Sequence, residues 1–213
     1  MAGCESEQDR VTRRYERLAP VYDLCNAPME RMGGDRRRRR LLSLARGVVL
    51  EVGIGTGRNL DYYPRRIELT GIDVSGRMLE RAQGRAGRLS LDVRLERADV
   101  QELPWPDRSF DTVVATCVFC SVADPTRGLQ EVHRVVKSDG QVLLLEHVRP
   151  TGRVLGWLAD GVSPVTRRLL GPALNRRTEE NVVAAGLEIA AIRRDGIWRE
   201  IVARPAPSAE EGR

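Results

Sequence analysis

The sequence predicts an α/β domain: a mostly parallel sheet with helices on both faces and an antiparallel final strand. Three observations predict it. Short aliphatic runs alternate with amphipathic helical patterns from residue 48 to about residue 148, which is the rhythm of parallel strands joined by crossover helices. The first run breaks into glycines at 53, 55 and 57, a tight turn leaving the end of a buried strand. Two strand-like runs near the C-terminus flank Asp195-Gly196, a dipeptide suited to a hairpin and so to an antiparallel partner.

In chain order, residues 1–47 read as a helical cap ahead of the sheet. Within the cap DRRRRR, residues 35–40, precedes LLSLA, which assigns the arginines to the polar face of a helix running into the first strand. Strands are predicted over Val48–Val52, Glu68–Ile72, Asp92–Arg97, Thr112–Thr116 and Gln141–Glu146, and helices over Asn59–Tyr63, Gly76–Ala86 and Thr126–Val136. Residues 151–177 fit no sheet element. Their Val154, Leu155, Trp157 and Leu158 interleaved with Arg153, Arg167 and Arg168 suit a lid over an amphipathic acceptor or an anionic interface, including peripheral membrane contact. A plain cap packed on the domain explains the apolar half equally well. Leu187–Arg193 and Trp198–Ala203 bring the strands to seven, and PAPSAEEGR from residue 205 reads as a disordered tail. The expected organisation is one domain over 1–204.

A chain of 213 residues is long enough for one well-buried core. Its formal charge of +5 admits a nucleic acid as partner. Nearly all the basic residues are arginine, with Lys137 the only lysine, and a GC-rich coding sequence produces that bias without selection for phosphate, so no nucleic-acid partner is expected. Cys4, Cys25, Cys117 and Cys120 are too few for a disulfide framework and point to a reducing compartment. Cys117 and Cys120 form a C-x-x-C inside VVATCVFCSV with no second pair or histidine cluster; they read as buried thiols, and no metal is expected. No apolar run approaches the roughly twenty residues of a membrane span, and MAGCESEQDR has no apolar signal core. The expectation is a cytoplasmic protein, a monomer or weak homodimer.

The glycine turn lets a flat or anionic ligand approach backbone N–H groups. A dinucleotide fingerprint would want its third glycine at 58, where this chain has Arg58. Glu51, two residues before the first glycine, would repel a pyrophosphate and attract an ammonium or sulfonium. Asp73 closes the second strand, where a carboxylate accepts both hydroxyls of a ribose. Asp99 closes the third, placed for an adenine amino group between apolar walls at Val74 and Val100; taken singly it reads equally as a helix N-cap. A nucleoside carrying positive charge and no phosphate satisfies these constraints, and S-adenosylmethionine is that molecule.

The segments LEVGIGTGRN, GIDVSGRML, RADVQELPWPDRSFDTVVAT and LQEVHRVVKSDGQVLLLEHV resemble the class I S-adenosylmethionine-dependent methyltransferases over most of residues 48–148. YERLAPVYDLCNAP, residues 15–28, resembles the entry element of the quinone-biosynthesis and bacterial phosphatidylethanolamine N-methyltransferases. TCVFCSVADPTRGLQEVHRVV and NRRTEENVVAAGLEI are similar to the methyltransferase-like thiol methyltransferases; the apolar membrane anchor of those animal enzymes is not expected here. The resemblance implies a Rossmann-like seven-stranded sheet with Glu51, Gly53, Gly55 and Gly57 on the methionine moiety, Asp73 on the ribose, and Asp99 with Val100 on the adenine. It further implies Tyr22 over the cofactor near the sulfonium, with Val74, Asn59, Met78, Thr116 and Cys117 completing the site. KSDG at 137–140 stands where the family has lysine-proline-glycine, a departure expected to touch only a turn.

Methyl transfer needs the nucleophile and methyl group close and aligned, and a base helps only when the acceptor must lose a proton. His147 ends the fifth strand at the ligand-binding edge and is the catalytic candidate; its bland alternative is a histidine bonded to a loop carbonyl. His133 lies in a helix, with a packing or solvated role. TCVFCS lacks the Asn/Asp-Pro-Pro-aromatic motif that base-amine methyltransferases resemble one another in, so the acceptor is expected to be a small or amphipathic molecule. A thiol or lipid amine leads, with a quinone-precursor carbon next. A non-catalytic S-adenosylmethionine-binding scaffold and a nucleotide-dependent oxidoreductase remain as alternatives. Calorimetry should show micromolar binding of S-adenosylmethionine and its demethylated product and none of NAD; tight NAD binding without the other two would overturn this reading.

Overall fold

The computed structural model describes residues 6–147 and 178–206. The expected lid at 151–177 lies outside the described residues, as does most of the expected tail. Helix α1 (Glu7–Leu18) opens with a reciprocal cap: Ser6 Oγ accepts the Asp9 N–H at 3.0 Å and the Asp9 carboxylate accepts the Ser6 N–H at 3.2 Å, satisfying donors that helix geometry leaves free. A 3-10 turn at Ala19–Val21, α2 (Tyr22–Met29), a π turn at Glu30–Gly34 and α3 (Asp35–Leu42) complete the cap. The sheet then alternates β1 (Gly47–Val52), β2 (Ile67–Asp73), α4 (Gly76–Leu89), β3 (Val93–Arg97), β4 (Phe110–Thr116), α5 (Pro125–Val135) and β5 (Val136–His147). It closes with α6 (Thr178–Ala184), β6 (Leu187–Asp195) and β7 (Trp198–Pro205).

The seven strands lie in the order β3-β2-β1-β4-β5-β7-β6. β7 runs antiparallel between β5 and β6, and the β1 to β5 pairings are parallel. The last strand is therefore antiparallel, as expected, and is inserted inside the sheet edge. Strand order reverses between β1 and β4, and the carboxyl ends of strands open into a crevice at such a switch.

Side-chain alternation splits the core into two layers. Leu50, Val52, Val113, Ala115, Val142 and Leu144 pack with Leu129, Val132 and Val135 of α5 and Val182 of α6. Val49, Val114, Leu143 and Leu145 pack on the other face with Leu41 and Leu42 of α3 and Ala82 and Ala86 of α4. By the same period of two, Glu51 shares the face of Val49, toward α3.

The helix expected over Asn59–Tyr63 is a single 3-10 turn, Arg58–Asp61, and three further local details differ from the sequence reading. The arginine run does form a helix, but its side chains do not share a polar face: Arg37 and Arg38 are 5 % and 7 % exposed. A helix turns about 100° per residue, so five consecutive arginines surround it, and two must meet the sheet. Arg37 lies 5.2 Å over the Trp198 ring and pairs with Asp195, and Arg40 pairs with Glu200, tying α3 to the terminal hairpin. In that hairpin Asp195 is the last strand residue, paired with Trp198. Gly196, at φ 57, is the one loop residue needing positive φ. Finally, KSDG does not form a simple turn: β5 starts at Val136, and the register jumps from Phe110↔Val136 to Thr112↔Gln141, making the four residues a bulge.

Gly57 sits at φ 79, and a Cβ there would come within 2.9 Å of Leu60 Cδ1 and 3.1 Å of the Ala82 Cα. The turn thus presses on the α4 backbone, which cannot yield. Gly57→Ala should lower unfolding free energy by about 1 to 3 kcal/mol in urea denaturation, combining left-handed strain with the close contact. A variant as stable as the parent would show that the turn relaxes.

Candidate active site

A cleft of about 620 Å³, partly open to solvent, lies at the carboxyl edge of the sheet between β1, β2 and β4. Gly53, Gly55, Asp73 and Thr116 form its floor, with Val74, Met78, Asp99 and Val100 at one end and Tyr22 and Cys117 at the other. These ten residues are the expected site residues that the fold brings together. Gly53, at φ 63, follows β1 directly, and a Cβ on it would stand 2.6 Å from Val118 Cγ2. The loop after β4 can close over the turn only because residue 53 has no side chain.

Asp73 is half-buried, its Oδ2 accepting the Gly55 N–H at 3.0 Å and its Oδ1 the Ser75 N–H at 2.9 Å. Burial raises its pKa to about 6, although the amide donors oppose the rise. Asp99 accepts the Gln101 backbone N–H at 2.9 Å, and both its oxygens lie 3.1 Å from Gln101 Nε2. It therefore organises a turn: no helix stands between β3 and β4, which removes the helix-cap alternative.

Glu51, Gly57 and Asn59 do not line the cleft. Glu51 was expected beside the ligand, yet it is 1 % exposed and lies beneath the turn. It accepts Asn59 Nδ2 at 2.7 Å and the Tyr63 hydroxyl at 2.9 Å. The strand's alternation sends its side chain toward α3 instead of the edge. Burial raises its carboxyl to about 7, against those two hydrogen bonds and the Arg38 charge. Arg38 completes the layer. Its Nε and Nη2 donate to the two Glu30 oxygens at 3.2 and 2.9 Å, and its Nη1 donates to Asn59 Oδ1 at 2.7 Å and Thr116 Oγ1 at 2.8 Å.

The cap covers the cleft through residues the sequence reading passed over. Gln8, Val11 and Tyr15 line it from α1; their i, i+3, i+7 spacing, one helix face, is the signal that could have found them. Three bonds pin this cover. The Tyr15 hydroxyl donates to Ser121 Oγ at 2.7 Å, the Gly76 N–H at the start of α4 donates to Glu16 Oε1 at 2.7 Å, and Thr56 Oγ1 donates to Asp23 Oδ1 at 2.7 Å. Tyr15 and Tyr22 meet edge to face, 6.1 Å between ring centroids.

Cys117 holds φ 58, unusual for a residue with a side chain. The Cys120 thiol donates to the Cys117 carbonyl at 3.3 Å. Burial raises the Cys117 thiol and the Tyr15 and Tyr22 hydroxyls above their ordinary values. Among the described residues no group of three or more histidine, cysteine or acidic side chains could hold a metal. The His147 backbone ends β5 at this edge, paired with Trp198; its side chain lies outside the described residues. Its neighbour Glu146, fully buried, accepts the Val118 and Phe119 N–H groups at 2.9 and 3.0 Å and so sets the course of the loop after β4.

Comparison with known proteins matches residues 50–144 to the family described as "Methyltransferase domain". The chain is 40 % identical over 144 residues to the phosphatidylethanolamine N-methyltransferase of Cereibacter sphaeroides, covering 66 % of this chain and 70 % of the relative. It is 36 % identical over 154 residues to the demethylmenaquinone methyltransferase of Deinococcus radiodurans, covering 68 % and 64 %. Among solved structures, the [4+2]-cyclase SpnF superposes with a TM-score of 0.72 at 20 % identity, covering 90 % of this chain and 94 % of that one. A SAM-dependent methyltransferase from Methanosarcina mazei gives 0.63 at 22 %, covering 76 % and 93 %. At these identities the structures show the fold alone.

The Glu51 carboxyl generates a stability prediction with a definite sign. Its pKa rises from 4.5 to about 7 on folding, so the native state holds the proton more tightly. That contribution is full below about pH 4.5 and is lost as pH rises through about 7. Glu51→Gln removes the titration while keeping the shape. Relative to the parent, the variant should gain about 2 to 3 kcal/mol in unfolding free energy between pH 5 and pH 8. Parallel stability curves would show that the carboxyl is not titrating in this range.

Proposed function

The chain belongs to the class I S-adenosylmethionine-dependent methyltransferases, and on that premise we propose that it transfers the methyl group to the amine of an amphipathic, lipid-like acceptor. The cleft's donor set fits the cofactor. Two backbone N–H groups hold the Asp73 carboxylate at the floor, and its remaining lone pairs suit the two hydroxyls of a ribose. Val74, Met78 and Val100 supply the apolar walls a flat base requires, beside Asp99. Gly53 and Gly55 leave room for the methionine arm. The bound cofactor supplies a methyl group activated on a sulfonium; the chain supplies alignment and exclusion of water.

Support for the acceptor comes from what surrounds Tyr22. Tyr15, Tyr22 and Cys117 keep their protons at neutral pH because burial disfavours their anions. None of the three can act as a base, so the acceptor must present its own lone pair, as an uncharged amine does. The observation we offer for the lipid amine is the exposure of two apolar residues flanking Tyr22 in the cap: Val21 is 46 % and Leu24 76 % exposed, apolar surface that an amphipathic acceptor could cover. We take the contact to be with a membrane surface; among the described residues no helix is long and apolar enough to cross a membrane. The name of the relative from Cereibacter sphaeroides agrees with this acceptor. A quinone-precursor carbon is the second reading, favoured by the similarity to the Deinococcus radiodurans protein.

We assign His147 to accept the proton an amine sheds, since its backbone reaches the same edge. Labelled-methyl turnover on phosphatidylethanolamine vesicles, a short-chain demethylated quinol and an alkyl thiol tests the acceptor. The amine should be preferred, and the rate should rise with pH as the acceptor's ammonium deprotonates. His147→Ala should lower its turnover by roughly ten- to ten-thousand-fold with cofactor affinity unchanged. Preference for the quinol would replace this reading with the second. Full activity of His147→Ala would leave alignment as the source of rate.

A further inference from the structure

Two tyrosines of the cap line the cleft, Tyr15 from α1 and Tyr22 from the start of α2. Their ring centroids stand 6.1 Å apart with the planes inclined by 62°, so the rings bound a corner instead of stacking. Each side chain is half-buried. The Tyr15 ring is held in place from its far end, where the hydroxyl donates to Ser121 Oγ at 2.7 Å on the loop after β4. Burial keeps both hydroxyls protonated, so the rings are uncharged. Cys117, Val118 and Ser121 line the cleft with them and add no formal charge. Among the described residues the only charged side chains lining the cleft are Asp73 and Asp99, which the reading above gives to the ribose and the base.

On that reading, methyl transfer to an amine delivers positive charge to the acceptor. The nitrogen's lone pair forms the new bond to the methyl carbon as the bond from sulfur breaks. Sulfur keeps that electron pair as a neutral thioether, and the charge moves to the nitrogen. A carboxylate beside the nitrogen would favour its protonated form and withhold the lone pair that must attack. The negative face of a neutral aromatic ring attracts the cation without that penalty, and an alkylated ammonium, whose shell is apolar, suits it best.

We propose that Tyr15 and Tyr22 form an aromatic corner that binds the alkylated ammonium group of the acceptor lipid. The assignment rests on the amine reading above and adds to it the residues that distinguish a cationic headgroup from an uncharged one of the same shape. Tyr15 and Tyr22 lie seven residues apart on successive helices, and the corner exists only where the turn between those helices brings their rings together over the cleft.

Calorimetric titration of the full chain, saturated with S-adenosylhomocysteine, tests this with two probes. One is dihexanoylphosphatidylcholine, and the other its carbon isostere, with a tert-butyl group in place of the trimethylammonium. The parent should bind the first roughly five- to thirty-fold tighter, the range of a partly to fully desolvated cation–π contact. Tyr15→Leu and Tyr22→Leu should each lower that ratio about threefold or more, whereas Tyr15→Phe, which loses the bond to Ser121 but keeps the ring, should retain it. A ratio between two probes cancels any general loosening of the cap, which weakens both alike. A parent ratio near one, or leucine variants that keep the parent's ratio, would overturn the aromatic corner. Equal losses in Tyr15→Phe and Tyr15→Leu would overturn it as well, by assigning the preference to the hydroxyl. A cofactor-loaded parent that binds neither probe would bring down the amine reading itself, and this assignment with it.

Discussion

A buried guanidinium in this protein ties three separate parts of the chain together. Stripped of water, Arg38 must find partners for its N–H groups or cost several kcal/mol. It finds them on the π turn of the cap, on the turn after the glycines and at the end of β4, through Glu30, Asn59 and Thr116. Asn59 and Thr116 are 21 and 78 residues away from Arg38 in sequence. Asn59 extends the network to Glu51 and, through it, to Tyr63. The glycine turn, the cleft floor and the cap therefore hold one another in register.

The cleft inherits its character from that layer. Its floor is rigid because the bonds beneath are satisfied in one arrangement only. Its cover is α1, pinned at Ser121 and at the start of α4 by Tyr15 and Glu16. Charge is divided along its length, with acids at the Asp73 and Asp99 end and the guanidinium behind Thr116. Tyr15, Tyr22 and Cys117 are protonated at neutral pH, so none of them serves as a base at that end.

Much of this was legible in the chain. All seven strands were marked by aliphatic period and turn residues: the central ones as continuous apolar runs because both their faces are buried, the edge strands β3 and β6 as mixed runs because much of each is exposed. Asp73, Val74, Asp99 and Val100 were expected at one edge and do line the cleft, because they lie at or just past strand ends that must converge. Glu51 was misplaced for want of one fact, which way its side chain points at the strand's end. The arginine run was misread because polar periodicity cannot distinguish a solvated guanidinium from one that pairs with Glu30 or Asp195 across the fold. Gln8, Val11 and Tyr15 carried a helical stripe, but nothing in the sequence says what that stripe covers.

By itself, then, the sequence determined the strand and helix order, the glycine turn and the acids near it, because each follows from local period or from glycine's backbone freedom. Tertiary structure alone decided that β7 enters between β5 and β6, that α1 roofs the cleft, and that Arg38, Asn59 and Thr116 form one bonded set. The physical reason is that a hydrogen bond between buried groups depends on distance and direction in space. Residues 38, 59 and 116 acquire those only when helix, turn and strand have packed.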